Sequence, residues 1–172
     1  MSSPSFTNAP EPHAVDSRQH LLETLVFQLG RELSTRTVLF HAAIAERMGL
    51  SQGDHKALDL INDAESAGFA LTAGQLSEQI GLTSGAITGL IDRLEKANLV
   101  RRTPDPQDRR KVVLAPTHAR DGELMALFSG IGQGMLELTA QYSDPELELI
   151  TSYMRRTIEL TALETRRLRE TS

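Results

Sequence analysis

Between Leu71 and Thr117 the residue pattern switches from helical to extended, and that switch constrains the whole chain. Thr72 heads a short helix, Ala73–Gln79, with Leu76 and Ile80 turned inward. Gly81 supplies the left-handed residue that stops it. Thr83 then caps a second helix, predicted over 83–97. At about 100° per residue, Ile87, Leu90, Ile91 and Leu94 share one side of it. Gly85, Thr88, Gly89, Asp92 and Lys96 share the opposite side. Strand candidates Leu99–Arg102 and Lys111–Leu114 follow, joined by a Pro/Asp-rich turn, so 99–116 reads as a hairpin.

The exposed side of the second helix has almost no bulk over its first two turns. A glycine inside a helix costs about 0.5–1 kcal/mol relative to alanine, so Gly85 and Gly89 ask for a reason. Close approach to a large partner is one, and the major groove of duplex DNA admits a helix N-terminus. The charge agrees. From Arg93 to Lys111 there are seven Lys/Arg against three Asp/Glu, a net of +4 on a chain of net −5, which leaves −9 elsewhere. Basic charge placed on an acidic protein marks a surface for phosphates more clearly than general basicity would. The competing account is a solvated turn in which Asp105 and Asp108 pair with Arg109, Arg110 or Arg93.

Residues 71–117 resemble the winged-helix core of the MarR family of bacterial transcriptional regulators. The resemblance rests on the Leu-Thr start at 71–72, Thr83 through Ile87, and Asp92-Arg93-Leu94-Glu95 followed by Leu99-Val100-Arg101-Arg102. It rests most of all on Asp105-Pro106-x-Asp108-Arg109-Arg110. It extends more loosely over 19–170 on helix pattern and length. The resemblance implies a homodimer on pseudo-palindromic double-stranded DNA, with recognition helices in successive major grooves and wings in the flanking minor grooves.

On that resemblance Arg109 and Arg110 match the wing arginines, with Arg110 the first choice for minor-groove insertion. Asp108 and Arg93 match a pair that braces the wing against the recognition helix. Ser84, Gly85 and Thr88 match positions of base and phosphate contacts. Thr83, Gly89, Lys96, Arg101, Arg102 and Lys111 complete the expected DNA-facing set. Gly89 departs from the larger polar or basic residue common there, so one direct contact is expected to be missing.

The expected fold is mainly α with a small β-hairpin wing: a winged helix-turn-helix flanked by N- and C-terminal dimerisation helices. Residues 1–17, rich in Pro, Ser and Asn, read as a disordered tail. Residues 18–50 read as an N-terminal dimerisation helix striped by Leu21, Leu22, Leu25, Val26, Leu29 and Leu33, and ended by Gly49. Residues 51–117 form the DNA-binding region, opened by a Ser51 cap with Leu58, Ile61 and Ala64 inward. Residues 118–172 read as C-terminal dimerisation helices, the first beginning at Thr117. In the last helix Leu147, Ile150, Met154 and Ile158 make one apolar stripe, and Leu149, Tyr153, Leu160 and Leu163 a second. A helix with two apolar stripes needs cover on two sides, which a second copy in an isologous dimer provides.

The composition excludes much else. The chain has no cysteine, which removes disulfides, thiolate metal sites and thiol switches. No apolar run approaches the ~20 residues of a membrane span, and the cytoplasm is the expected location. Gly130-Ile131-Gly132-Gln133-Gly134 follows a helical pattern and not a strand, so it is no dinucleotide fingerprint. No phosphate loop, nucleophile elbow or HExxH occurs, and an enzyme is not expected. His13, His20, His41, His55 and His118 are scattered singly. His41, His55 and His118 lie in segments that could converge near a hinge, but no two histidines have the helical spacing of a ligand pair, so neither a metal nor another cofactor is expected. The leading reading is a dimeric transcription factor; the resemblance implies a repressor released by a small aromatic or phenolic ligand, with Arg36, His41 and His55 as candidates for its pocket. An effector-independent DNA-binding protein and a winged helix turned to protein–protein contact are the alternatives.

Overall fold

The computed structural model describes residues 18–105, 108–109 and 111–170. The tail expected at 1–17 and the wing residue Arg110 lie outside the described residues. The described chain is mostly helical with one small antiparallel sheet, and it divides into two units, Met1–His118 and Ala119–Ser172.

The first unit opens with a continuous helical run. It consists of α1 (Arg18–Glu23), a π-helical stretch (Thr24–Leu29) and α2 (Gly30–Met48). The periodicity gives no hint of the π stretch. Gly30 donates its amide N–H to the Leu25 carbonyl, five residues back, and a Cβ at Gly30 would stand 3.3 Å from that oxygen. A side chain there would press that oxygen back by a few tenths of an ångström. The run ends at Gly49, which takes the left-handed φ of 70° and donates to the Ala45 and Glu46 carbonyls.

Helix α3 (Gln52–Ser66) begins where the Ser51 hydroxyl accepts the Asp54 amide N–H at 3.1 Å. Its buried face (Ala57, Leu58, Ile61, Ala64) packs against α2, against helices α4 (Ala73–Ile80) and α5 (Ser84–Lys96), and against the sheet. Strands β2 (Val100–Pro104) and β3 (Val112–Pro116) form the hairpin, with Arg102 opposite Leu114 and Val100 opposite Pro116. A third strand, β1 (Leu71–Thr72), pairs with β3 through Leu71 and Leu114, so the order is β1-β3-β2. Two residues are too short a run to carry a period, which is why the sequence suggests only a hairpin. All the buried hydrophobic side chains named so far, from Ile44 at the end of α2 to Leu114, form one core.

The second unit holds α6 (Asp121–Thr139) and α7 (Asp144–Glu170), neither with a buried residue. The helix expected to begin at Thr117 begins four residues later. Thr117 instead extends the sheet, donating its N–H to the Leu99 carbonyl at 3.0 Å and its hydroxyl to the Asn98 carbonyl at 2.5 Å. His118 sits at φ 60°, which no helix can run through. Helix α7 opens where Ser143 donates both its N–H and its hydroxyl to the Glu146 carboxylate.

Candidate nucleic-acid interface

Helices α4 and α5 are set by local chemistry. The Thr72 hydroxyl accepts the Gln75 N–H and the Gln75 side chain accepts the Thr72 N–H, a complete capping box. Gly81, at φ 79°, turns the chain, and the Ser77 hydroxyl holds the turn by donating to the Leu82 carbonyl at 2.6 Å. Thr83 caps α5 by accepting the Ala86 N–H at 3.4 Å. Ile87, Leu90, Ile91 and Leu94 are buried, so the rotation of α5 is fixed by its apolar side.

The outward side of α5 carries Ser84, Gly85, Thr88, Gly89, Asp92 and Lys96. A Cβ at Gly85 would meet nothing, and one at Gly89 would meet only the Arg93 guanidinium at 3.8 Å. Nothing inside the chain requires either glycine. Their low relief is therefore a property of the outer surface. Thr88 bonds back to the Ser84 carbonyl at 2.8 Å, which holds its hydroxyl along the helix.

The seven cations of the basic stretch divide into groups. Arg93 and Arg102 are engaged within the chain. Arg93 donates to both oxygens of Asp54, from Nε at 3.0 Å and from Nη2 at 2.7 Å. Asp54 is buried at the first turn of α3, while the Arg93 side chain is 59% exposed. Burial alone would raise the Asp54 carboxyl, but the Arg93 and Ser51 hydrogen bonds hold it below its ordinary value. Arg93 therefore ties α5 to α3, and the expected pairing of Arg93 with Asp108 is not formed. Thirty-nine residues separate Asp54 from Arg93, and no local pattern joins them.

Arg102 makes the brace between wing and helix instead. Its N–H donates to Glu95 Oε1 at 2.9 Å, its Nη1 to Glu95 Oε2, and its Nη2 to Asp92 Oδ1 at 2.8 Å. An exposed pair of this kind contributes little by itself, but two carboxylates on one guanidinium fix a geometry. At the wing tip the Asp105 carboxylate accepts the Asp108 N–H at 3.2 Å. The Asp108 carbonyl accepts the Lys111 N–H at 2.8 Å, and the Lys111 carbonyl accepts the Asp105 N–H at 2.9 Å. Asp105 thus shapes the turn through its own backbone, as Asp does in tight turns.

Lys96, Arg101, Arg109 and Lys111 are exposed and form no ion pair among the described residues. Those four cations, with the shallow outer side of α5 and a braced wing, make a surface suited to polyanion backbone.

A second feature lies where α2 meets α3. A cavity of about 400 Å³ is lined by Thr37, Val38, His41, Gly53, His55 and Asp59, among others. Arg36, expected there, pairs with Glu32 at 3.3 Å and does not line it. His118 lies elsewhere, at 3.2 Å from Glu65. Asp59, which went unnoticed in the sequence, follows His55 by one helical turn. That His-x-x-x-Asp spacing was the available signal.

Comparison with known proteins agrees with this architecture. The MarR family model matches residues 50–112. Over 155 residues the chain is 41% identical to the uncharacterized HTH-type transcriptional regulator YcgE of Bacillus subtilis, covering 90% of this chain and 97% of that protein. Among solved structures, a MepR mutant from a multidrug resistant S. aureus clinical isolate matches with a TM-score of 0.65 at 18% identity, covering 79% of this chain and 96% of that one. The S. aureus MepR–DNA complex matches with a TM-score of 0.50 at 19% identity, covering 77% and 97%.

Proposed function

The chain belongs to the MarR family of transcriptional regulators, and on that premise we propose that two copies of it bind a pseudo-palindromic operator as a repressor that a small ligand releases. Its winged helix-turn-helix is a DNA-binding fold. In our reading the N-terminal part of α5, with Ser84, Gly85, Thr88 and Gly89, enters the major groove. Lys96, Arg101 and Lys111 meet phosphates, and the wing, with Arg109 and Arg110, lies along the minor groove. Arg93, Arg102 and Thr83 serve to position this surface.

The observation that carries the reading is the division among the cations. Those needed for internal geometry are held by Asp54, Asp92 and Glu95, and the others are left to a partner. A winged helix used for protein contact has no need of four exposed, unmatched cations around a glycine-bearing helix face. MepR has been solved in complex with DNA, so a fold of this kind accommodates that partner.

The apolar side chains left in water support dimerisation. Leu25, Leu29 and Leu33 in the first unit, and Ile131, Leu149, Ile158 and Leu163 in the second, are exposed. Patches of this extent mark interaction sites, and a second copy is the simplest cover. The cavity between α2 and α3 is where we place the ligand, a small aromatic or phenolic compound. It would act by favouring a recognition-helix spacing that no longer matches half-sites about 34–36 Å apart.

The test is selection of bound fragments from the source genome at ~150 mM salt, where non-specific binding is weak. An inverted repeat with half-sites one helical turn apart is the expected product. A folded dimer that enriches nothing would overturn sequence-specific reading in favour of protein contact or non-specific binding.

A further inference from the structure

His41 on α2 and His55 and Asp59 on α3 point three ligand atoms at one place, all lying within 4.8 Å of one another. His41 Nδ1 is 3.3 Å from His55 Nε2 and 3.4 Å from Asp59 Oδ2, and His55 Nε2 is 3.6 Å from the same oxygen. We propose that His41, His55 and Asp59 form a binding site for a four-coordinate divalent transition-metal ion of the zinc type, with its fourth position open to the cavity. This goes beyond the DNA-reading proposal, which does not require it.

The argument is first geometric. Bonds of about 2.0–2.1 Å around a tetrahedral ion separate neighbouring ligand atoms by about 3.3–3.4 Å. The three observed edges lie at or just above that value. An octahedral magnesium with bonds of the same length would need edges of about 2.9 Å, and it prefers oxygen ligands. Two imidazoles and one carboxylate instead suit zinc and its neighbours in the first transition row.

The arrangement is also a poor hydrogen-bonding network for its own sake. A charge-assisted N–H···O bond runs at about 2.7–2.9 Å, and both histidine–carboxylate distances are well beyond that. The two imidazole nitrogens face each other, so at most one can carry a proton along that line. His55 is 2% exposed, and its other ring nitrogen, Nδ1, is buried with no partner among the described residues. A cation placed among His41 Nδ1, His55 Nε2 and Asp59 Oδ2 would replace these long mutual contacts with direct bonds.

The elements explain why these three residues meet. His55 and Asp59 are four apart on α3 and share one face, as ligand pairs on helices do. His41 comes from α2, so an ion would pin α2 to α3 close to Asp54, the residue that holds Arg93 of α5.

Metal-free full-length protein titrated with Zn²⁺ against a chromophoric chelator tests the proposal without any DNA. The expected result is one Zn²⁺ per chain, with intense visible bands when Co²⁺ is used in its place. His41→Ala and Asp59→Asn, both at partly exposed positions, should each weaken binding by more than about 10-fold with unchanged circular dichroism. Less than one ion per chain, or wild-type affinity in both variants, would overturn it. The second result would assign the ion to residues such as His20.

Discussion

The two units of this chain are built from the same helical alphabet and have opposite packing. From Ile44 to Leu114 the buried side chains close on one another around α3, α5 and the three-stranded sheet. From Asp121 to Glu170 two helices of 19 and 27 residues bury nothing. A 19-residue and a 27-residue helix are each long enough to propagate, but helices in water owe most of their stability to packing of an apolar face. The first unit therefore carries its own reason to fold, and the second leaves apolar surface exposed. In the function proposed above, the winged unit reads DNA and the C-terminal helices join two copies.

The comparison breaks most sharply by mutation on each side of it. Leu94→Ala, at a fully buried position of α5, should cost about 2–5 kcal/mol of stability at any protein concentration. Ile158→Glu with Leu163→Glu, both exposed on α7, should leave the winged core folded and turn the dimer into a monomer. Sedimentation equilibrium and thermal melts at several concentrations separate the two effects. A double variant that stays dimeric would remove α7 from the interface.

Within the winged unit a smaller contrast separates arginines held by carboxylates of the chain from arginines proposed to meet DNA. Arg93→Ala strands the Asp54 carboxylate in the core and should cost about 1.5–3 kcal/mol in urea unfolding, toward the lower end because the guanidinium is 59% exposed. Arg109→Ala should change stability by no more than about 0.5 kcal/mol, lower DNA affinity, and reduce the salt slope of binding by about 1. If Arg109→Ala left both affinity and slope unchanged, the wing would not reach the phosphates or the groove.

The smallest effect is the most discriminating. Gly85→Ala meets nothing in the chain and should stabilise the protein by about 0.5–1 kcal/mol while weakening operator binding. Stabilisation with full DNA affinity would mean that the glycine does not serve close approach.

Most of the fold was legible because its punctuation is local. Ser51, Thr72 and Thr83 cap helices through the residue three further on, and Gly49 and Gly81 end helices through a left-handed backbone that glycine adopts freely. The apolar side of α5 was readable for the same reason, since four residues at helical spacing define a face without reference to anything else. The candidate DNA-facing residues could be named because the family resemblance maps onto that face and the Arg-rich turn. What they are bonded to could not.

The sequence by itself determined where helices start and stop, which of their faces are apolar, and where positive charge accumulates, because each is set within a few residues. Only the tertiary structure decided that Arg93 answers to Asp54, that Arg102 ties the wing to Asp92 and Glu95, and that Leu71 and Thr72 complete the sheet. It also brought His41 within reach of His55 and Asp59. Those pairings join residues 7 to 43 positions apart, and their partners are chosen by how α2, α3, α5 and the sheet pack. Packing is a property of the assembled core, and no short window of sequence contains it.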